Sequence, residues 1–389
     1  YTMWWSRDVA QAPINSEYYT KTVSTGKPTT TTFYDCLGRE VRRVTESPDG
    51  KSILATITNY DNCGRVHEVS NPYFPKYQPI LTTTEYDKAG RIESVTDQLG
   101  RTTRYSYDGL KTTVTNANGY SSSKIVDRHG RLAKSIDADG NSICYSYDID
   151  DNCVCVEGPT TTIRTEFDKY GNRTKLIDPD LGEISYAYNG YGELVSQTDS
   201  HGTTTFEYDV LGRLTKETRP DFTYTYSYDN QLKGFMDIKS SSNNTSIAYK
   251  YDKYGRTISE THEMSNRSFT TRTSYNNINK PDTISYPSGF KIKLNYYDTG
   301  YQQSIHNAKS GQLIWEADEY DEFGNVAIAH IGNDRYTGRI YSPVGTIIEV
   351  GTDDILYCKY EYDGCNNLTS KIDNIRGNEE YYGYDALNR

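Results

Sequence analysis

The 389-residue chain is poor in the side chains that build a deep apolar core, since Leu, Ile, Val and Phe together supply only 70 residues. Such scarcity suggests disorder, but disorder also needs a large charge imbalance, and the formal net charge is only -11. No apolar run approaches the roughly 18 residues of a membrane-crossing helix, so no membrane insertion is expected. The charge balance is acidic, which excludes wrapping a phosphate backbone and so a nucleic-acid partner. The seven cysteines (Cys36, Cys63, Cys144, Cys153, Cys155, Cys358 and Cys365) are odd in number and irregular in spacing, unlike a disulfide framework.

Catalytic signatures are also missing. His67-Glu68-Val69-Ser70-Asn71 and His262-Glu263-Met264-Ser265-Asn266 begin like a zinc-protease helix but lack its second histidine. Gly26-Lys27 has Lys21 where a phosphate loop needs glycine, and no Gly-x-Ser-x-Gly elbow exists. Cys153-Val154-Cys155 has no second Cys/His pair nearby to complete a metal site. Asp148-Ile149-Asp150-Asp151-Asn152 starts like a calcium loop, but Cys153 and Pro159 stand where that loop needs Gly and Glu. The six histidines share no spacing. The chain therefore reads as a non-enzyme with no cofactor and no metal. It begins at Tyr1 with no signal peptide to read and stops at Arg389 without a terminating pattern, so it is taken as a piece truncated at its C-terminus.

What the chain has is tyrosine, 38 residues of it. A tyrosine buries a ring and keeps a wet tip, which suits thin, half-exposed layers. The tyrosines are periodic. The segment Tyr208-Asp209-Val210-Leu211-Gly212-Arg213 recurs seventeen times between Tyr34 and Tyr384, at a mean spacing close to 22 residues. Clear copies carry Tyr34, Asp35 and Gly38; Tyr60, Asp61 and Gly64; Tyr86, Asp87 and Gly90; Tyr251, Asp252 and Gly255; Tyr320, Asp321 and Gly324. One copy is placed with its first residue at Tyr107 and another at Tyr297.

Each position has a physical reason. The tyrosine ends an incoming strand, and Asp accepts hydrogen bonds from backbone N–H groups further along the turn. The fifth residue needs positive φ, where Gly or Asn is least strained. Alternation puts Phe206 and Tyr208 on one face of the strand and Thr205 and Glu207 on the other. A second turn follows, as at Asp97–Gly100, Asp137–Gly140 and Asp199–Gly202, so each unit reads strand, turn, strand, turn. The fold predicted is all-β: repeated hairpins in one continuous, curved antiparallel sheet. Residues 1–28 form an N-terminal flank and 29–389 the repeat array. Trp4-Trp5 either caps the first strand or belongs to a preceding domain. Seventeen hairpins make on the order of 160 Å of sheet at about 4.8 Å per strand, about one turn of a wall roughly 50 Å across.

The pattern Tyr-Asp-x-x-Gly-Arg at this spacing resembles the YD-repeat, or Rhs, family. So does the stretch Phe33–Arg43, Tyr60–Arg65 and Val69–Phe74, which is similar to a segment of large bacterial Rhs proteins. The resemblance implies a spiral sheet forming a partial hollow shell, secreted or at the cell surface. As in bacterial toxin complexes and Rhs toxins, its partner would be a toxin or effector fused downstream in the same polypeptide; in teneurins such a shell is part of a receptor. The self-cleaving segment of toxin-bearing shells is absent, and Asp178-Pro179-Asp180-Leu181-Gly182 reads as an ordinary second turn. A second reading is a surface adhesin binding glycans or cell-surface proteins through tyrosines outside the motif, such as Tyr73, Tyr77 and Tyr224. Choline- or glucan-binding aromatic arrays carry tryptophan-rich runs that three tryptophans cannot supply. Replacing Gly212 with Val forces a β-branched residue to positive φ, so Gly212→Val is expected to lower Tm more than Arg213→Ala does. Equal shifts would remove the turn assignment.

Overall fold

A computed structural model describes residues 2–5, 15–332 and 334–389. The described residues form 35 strands and no helix. Every strand pairs antiparallel with its neighbours in sequence, from Thr2–Trp5 to Asn378–Tyr381, in one open sheet. Along Gly202–Tyr208, half-buried Thr204, Phe206 and Tyr208 alternate with exposed Thr203, Thr205 and Glu207, the period of a strand with unlike faces.

The turn chemistry sets the curvature. In the strand pair Gly202–Tyr208 and Leu214–Thr218, the register shifts between Glu207 and Tyr208, so an extra residue enters beside the motif tyrosine. The same shift occurs before Tyr34, Tyr60, Tyr86, Tyr251 and Tyr320. A bulge bends its strand and raises the local twist. Placed repeatedly on one rim, it winds the sheet into a coil.

The coil is tighter than strand counting alone suggests. Asn71 Nδ2 donates to the Pro343 carbonyl 272 residues away, and Asn118 Nδ2 donates to Asp363 Oδ2 245 residues away, each at 2.9 Å. The Thr299 hydroxyl donates to the Pro48 carbonyl across 251 residues. Between such partners lie 23 to 25 strands, which at about 4.8 Å each give a circumference of roughly 110 Å and a diameter of about 35 Å. The chain therefore makes about one and a half coils, not the single wider turn predicted, because sheet length fixes the perimeter and the recurring bulge fixes the radius.

An odd number of strands per coil has a further result. Motif turns line one rim and second turns the other, so where coils stack, motif turns of the second coil sit on second turns of the first. Arg101 Nη1 reaches the Asp363 carbonyl at 3.5 Å and Asn366 Oδ1 at 3.3 Å. The main chains of the two coils come close at Gly300, where a Cβ would stand 2.0 Å from the Gly26 carbonyl oxygen.

Three details differ from the sequence reading. Tyr18–Ser24 pairs with Lys27–Tyr34, and Thr2–Trp5 pairs in turn with Tyr18–Ser24, so the sheet runs without a break across 28/29. The Trp4-Trp5 backbone lies opposite Tyr19 and Tyr18 along that strand's edge. At Tyr107 the loop shortens to Gly109-Leu110, with Asp108 opposite Lys111, because Gly falls two residues early. At Tyr297 the motif slips by one: Tyr296 ends the strand, and the Tyr297 carbonyl takes the Gly300 N–H that elsewhere goes to Asp.

The wall is one sheet thick except near the start. There the segment after Ser70 folds back, Tyr73 bridges Ala55, and Tyr73, Tyr19, Ile53 and Tyr60 pack on buried Phe33, Val41, Val44 and Ala55. Gly300 and Gly100 share the left-handed conformation, φ 81° and 76°, but a Cβ on Gly100 meets nothing within 4 Å. Ala at either site bears the backbone strain of about 1–2 kcal/mol, and only Gly300→Ala also drives the coils apart. Thermal melts should show Gly300→Ala well below Gly100→Ala, with hydrogen exchange speeding up around Gly26 in the former alone.

Candidate functional site in the repeat turns

The repeated site is a clasp shared between successive units. Asp209 Oδ1 accepts the N–H groups of Leu211 and Arg213 at 2.9 and 3.0 Å, while its Oδ2 accepts Arg213 Nε at 2.7 Å. The fixed guanidinium lies 4.4 Å from the ring centre of Tyr228, the tyrosine of the next unit. Tyr228 in turn donates its hydroxyl to the Leu214 carbonyl at 2.8 Å, just past that arginine. Asp thus orders Arg, Arg carries the next Tyr, and Tyr closes back on the strand that Arg begins.

The arrangement recurs. Arg39 covers Tyr60, Arg65 covers Tyr86, Arg131 covers Tyr147 and Arg256 covers Tyr275, with centroid distances of 4.2–4.7 Å. Asp35, Asp61, Asp87 and Asp252 each hold the arginine four residues on through Nε. At Asp321 the partner is Asn325, whose Nδ2 donates to Oδ2 at 3.0 Å. Tyr60, Tyr86, Tyr208, Tyr251 and Tyr320 donate to the carbonyls of Glu40, Val66, Leu194, Met236 and Gln302. Tyr34, with fewer units before it, stacks on Tyr18 at 5.0 Å. Gly38, Gly64, Gly90, Gly212, Gly255 and Gly324 all have φ between 77° and 81°. The arginine at the sixth position was not among the residues singled out in the sequence, although it stands in the seed itself. Its partner belongs to the next unit, and only tertiary structure places that ring beneath it.

The tyrosines outside the motif do not share one surface. Tyr73 packs on the buried Phe33 cluster. Tyr77 is 61% exposed, with Lys76 above its ring. Tyr224 is half-buried, edge-on to Phe222 at 5.0 Å and covered by Lys239. The calcium-like segment is a motif turn: Asp148 Oδ1 accepts from Asp150 and Asn152, and its Oδ2 accepts from the Asn152 side chain. Asp178 Oδ1 likewise caps its own turn through Asp180 and Leu181. His262 lies in a strand with Nε2 2.6 Å from Glu260 Oε1. Cys153 and Cys155 are half-buried strand residues.

The RHS Repeat family model matches residues 86–121 and 188–221. No curated protein matches the chain. Solved structures share the fold, among them three toxin-complex structures. The crystal structure of TcdB2-TccC3-Cdc42 aligns with a TM-score of 0.83 at 16% identity, over 98% of this chain and 24% of that one. That of TcdB2-TccC3 gives 0.82 at 16%, over 96% and 24%. The Tc holotoxin pore of Photorhabdus luminescens, carrying a mutated TccC3, gives 0.83 at 17%, over 96% and 24%. The chain therefore spans about a quarter of the length of the structures it matches.

The clasp carboxylates are acid-sensitive. Hydrogen bonds from Arg213 hold Asp229 down to about 2, and the Arg213 N–H and guanidinium hold Asp209 below the ordinary range. Asp87 and Asp385 are lowered in the same way by Arg91 and Arg389. A depressed folded pKa contributes stability above the unfolded value of about 4 and loses it as pH falls through the folded value. Stability should therefore be flat near neutrality and drop steeply between about pH 4 and pH 2, as followed by circular dichroism. A curve still flat at pH 2 would show that the clasps do not stabilise the array.

Proposed function

Because the chain is a YD-repeat, or Rhs-repeat, protein, we propose that it is a non-enzymatic section of shell wall that encloses a toxin or other effector polypeptide. That polypeptide would be part of the same chain, in a secreted or surface-attached protein. The observation carrying this reading is the coil itself. Its wall is a single sheet, its coils are joined rim to rim by Asn71, Asn118, Thr299 and Arg101, and its perimeter is set by 23 to 25 strands. A perimeter of that size leaves a lumen on the order of 25 Å once a layer of side chains is subtracted.

Size then limits the cargo. A folded 100-residue domain has a radius of gyration of about 13 Å and is wider than this lumen, whereas a helix with its side chains is about 10–12 Å across. A passenger in this section would be held extended or partly unfolded, shielded from proteases by the wall. The Rhs-repeat matches and the shared fold of the toxin-complex structures support the same assignment.

The test is protection. An unstructured, protease-sensitive polypeptide fused after Arg389 should be cut several-fold more slowly than the same polypeptide free, and Gly300→Val, which wedges the coils apart, should abolish the difference. Equal cleavage rates in both contexts would overturn the reading. A glycan-array signal lost on Tyr77→Ala would favour the adhesin.

A further inference from the structure

A cavity of about 230 Å³ opens in the seam between the coils. Residues of the segment 71–80 and Gln98 wall it on one side, and Glu322, Phe323 and Pro343 on the other. Neither coil makes it alone, and the hydrogen bond from Asn71 to the Pro343 carbonyl joins its two walls. Further coils of the same polypeptide would stack beyond the outer rims and leave this internal seam as it is. The first wall is held ready. Pro72, Pro75 and Pro79 each fix a backbone angle, and the Phe74 carbonyl accepts the Tyr77 N–H at 2.9 Å. Tyr73 exchanges two backbone hydrogen bonds with Ala55. A wall set before a ligand arrives spares the ordering cost of binding.

Two kinds of group line the cavity. Phe74, Tyr77 and Phe323 supply flat rings, and Tyr77 is 61% exposed. Gln78, Gln98 and Glu322 supply polar ends. Among the described residues, none of these three side chains has a hydrogen-bond or ion-pair partner. Gln98 and Glu322 are half-buried, so they are partly withdrawn from water with nothing in its place. A ligand that bonds to them recovers that loss.

The chemistry of the walls selects the ligand. It must offer an apolar face to the rings and an edge that both donates and accepts, because amides do both and a carboxylate only accepts. A sugar ring has a C–H face and an edge of hydroxyls. A proline-rich peptide also stacks on aromatic rings, but its prolines carry no N–H and leave Glu322 unpaired. A quaternary ammonium suits the rings and Glu322 but leaves both amides unpaired. Lys76 Nζ lies 4.9 Å from the Tyr77 ring centre, so its charge and that of Glu322 offset each other and favour a neutral ligand. An adjoining cavity of about 250 Å³ shares Pro72, Glu322 and Phe323 with the first. Together they fall within the range of about 300–1,000 Å³ usual for small-ligand sites.

We propose that this seam cavity binds a neutral saccharide, with a ring on Tyr77 and hydroxyls on Gln78, Gln98 and Glu322. The ligand touches both coils, so binding fastens the seam. Its occupancy is independent of what the wall encloses.

Saturation-transfer NMR titrations of the full chain with maltose, cellobiose, lactose and N,N′-diacetylchitobiose test this, with decaproline and tetramethylammonium as competing probes. At least one disaccharide should bind, and at saturation it should slow hydrogen exchange around both Asn71 and Phe323. Tyr77→Ala, Gln98→Ala and Phe323→Ala should each weaken binding about tenfold, as the loss of one ring contact or one hydrogen bond does. Tyr224→Ala, elsewhere on the sheet, should leave it unchanged. Circular dichroism matching the parent's shows that the substituted chains are folded. Failure of all four sugars to bind, an affinity indifferent to Gln98→Ala and Phe323→Ala, or binding of decaproline or tetramethylammonium but no sugar would each overturn the proposal.

Discussion

The linkage between successive units rests on a turn carboxylate that fixes the side chain four residues on, an arginine at Asp35, Asp61, Asp87, Asp209 and Asp252 and an asparagine at Asp148 and Asp321. A sheet one layer thick has no second layer to bury against, so a repeat gains stability only from the repeats beside it. The Asp209–Arg213 pair supplies that link. A free arginine side chain would lose much rotamer entropy on settling over a neighbour's ring, but here Asp209 has already fixed the guanidinium before Tyr228 meets it. The tyrosine then closes the link by donating to the Leu214 carbonyl, so ring stacking and backbone satisfaction fall on the same residue. The abundance of tyrosine and the scarcity of leucine in this chain are two consequences of this arrangement.

The same turn sets the shape. Its left-handed residue brings an extra residue into the outgoing strand opposite the motif tyrosine, and the resulting bend falls on one rim. Repetition turns a local irregularity into a superhelix of nearly constant radius. Where the superhelix overlaps itself, the turns acquire a second role, because their tips must pack on another coil. Gly300 against Gly26 and Thr299 against Pro48 are tips specialised for that contact, in units whose strands are otherwise ordinary.

The all-β architecture, the hairpin repeat and the turn positions of Asp35, Asp209, Gly212 and Gly324 were legible in the sequence, because each follows from local backbone chemistry that recurs every 22 residues or so. The exceptions at Tyr107 and Tyr297 were not, since a turn can shorten to two residues or slip by one while the motif letters stay in place. Nor was the role of the arginines, whose aromatic partners lie in the following unit.

Sequence by itself determined the local rules: which residues turn, which extend, and that successive strands pair in order. Tertiary structure alone decided the radius, the one and a half coils and the pairs that meet across the seam. Those depend on small bends summed over 23 to 25 strands, and a few degrees at each bulge moves the partner of Asn71 or Thr299 by many residues. No local pattern records such a sum.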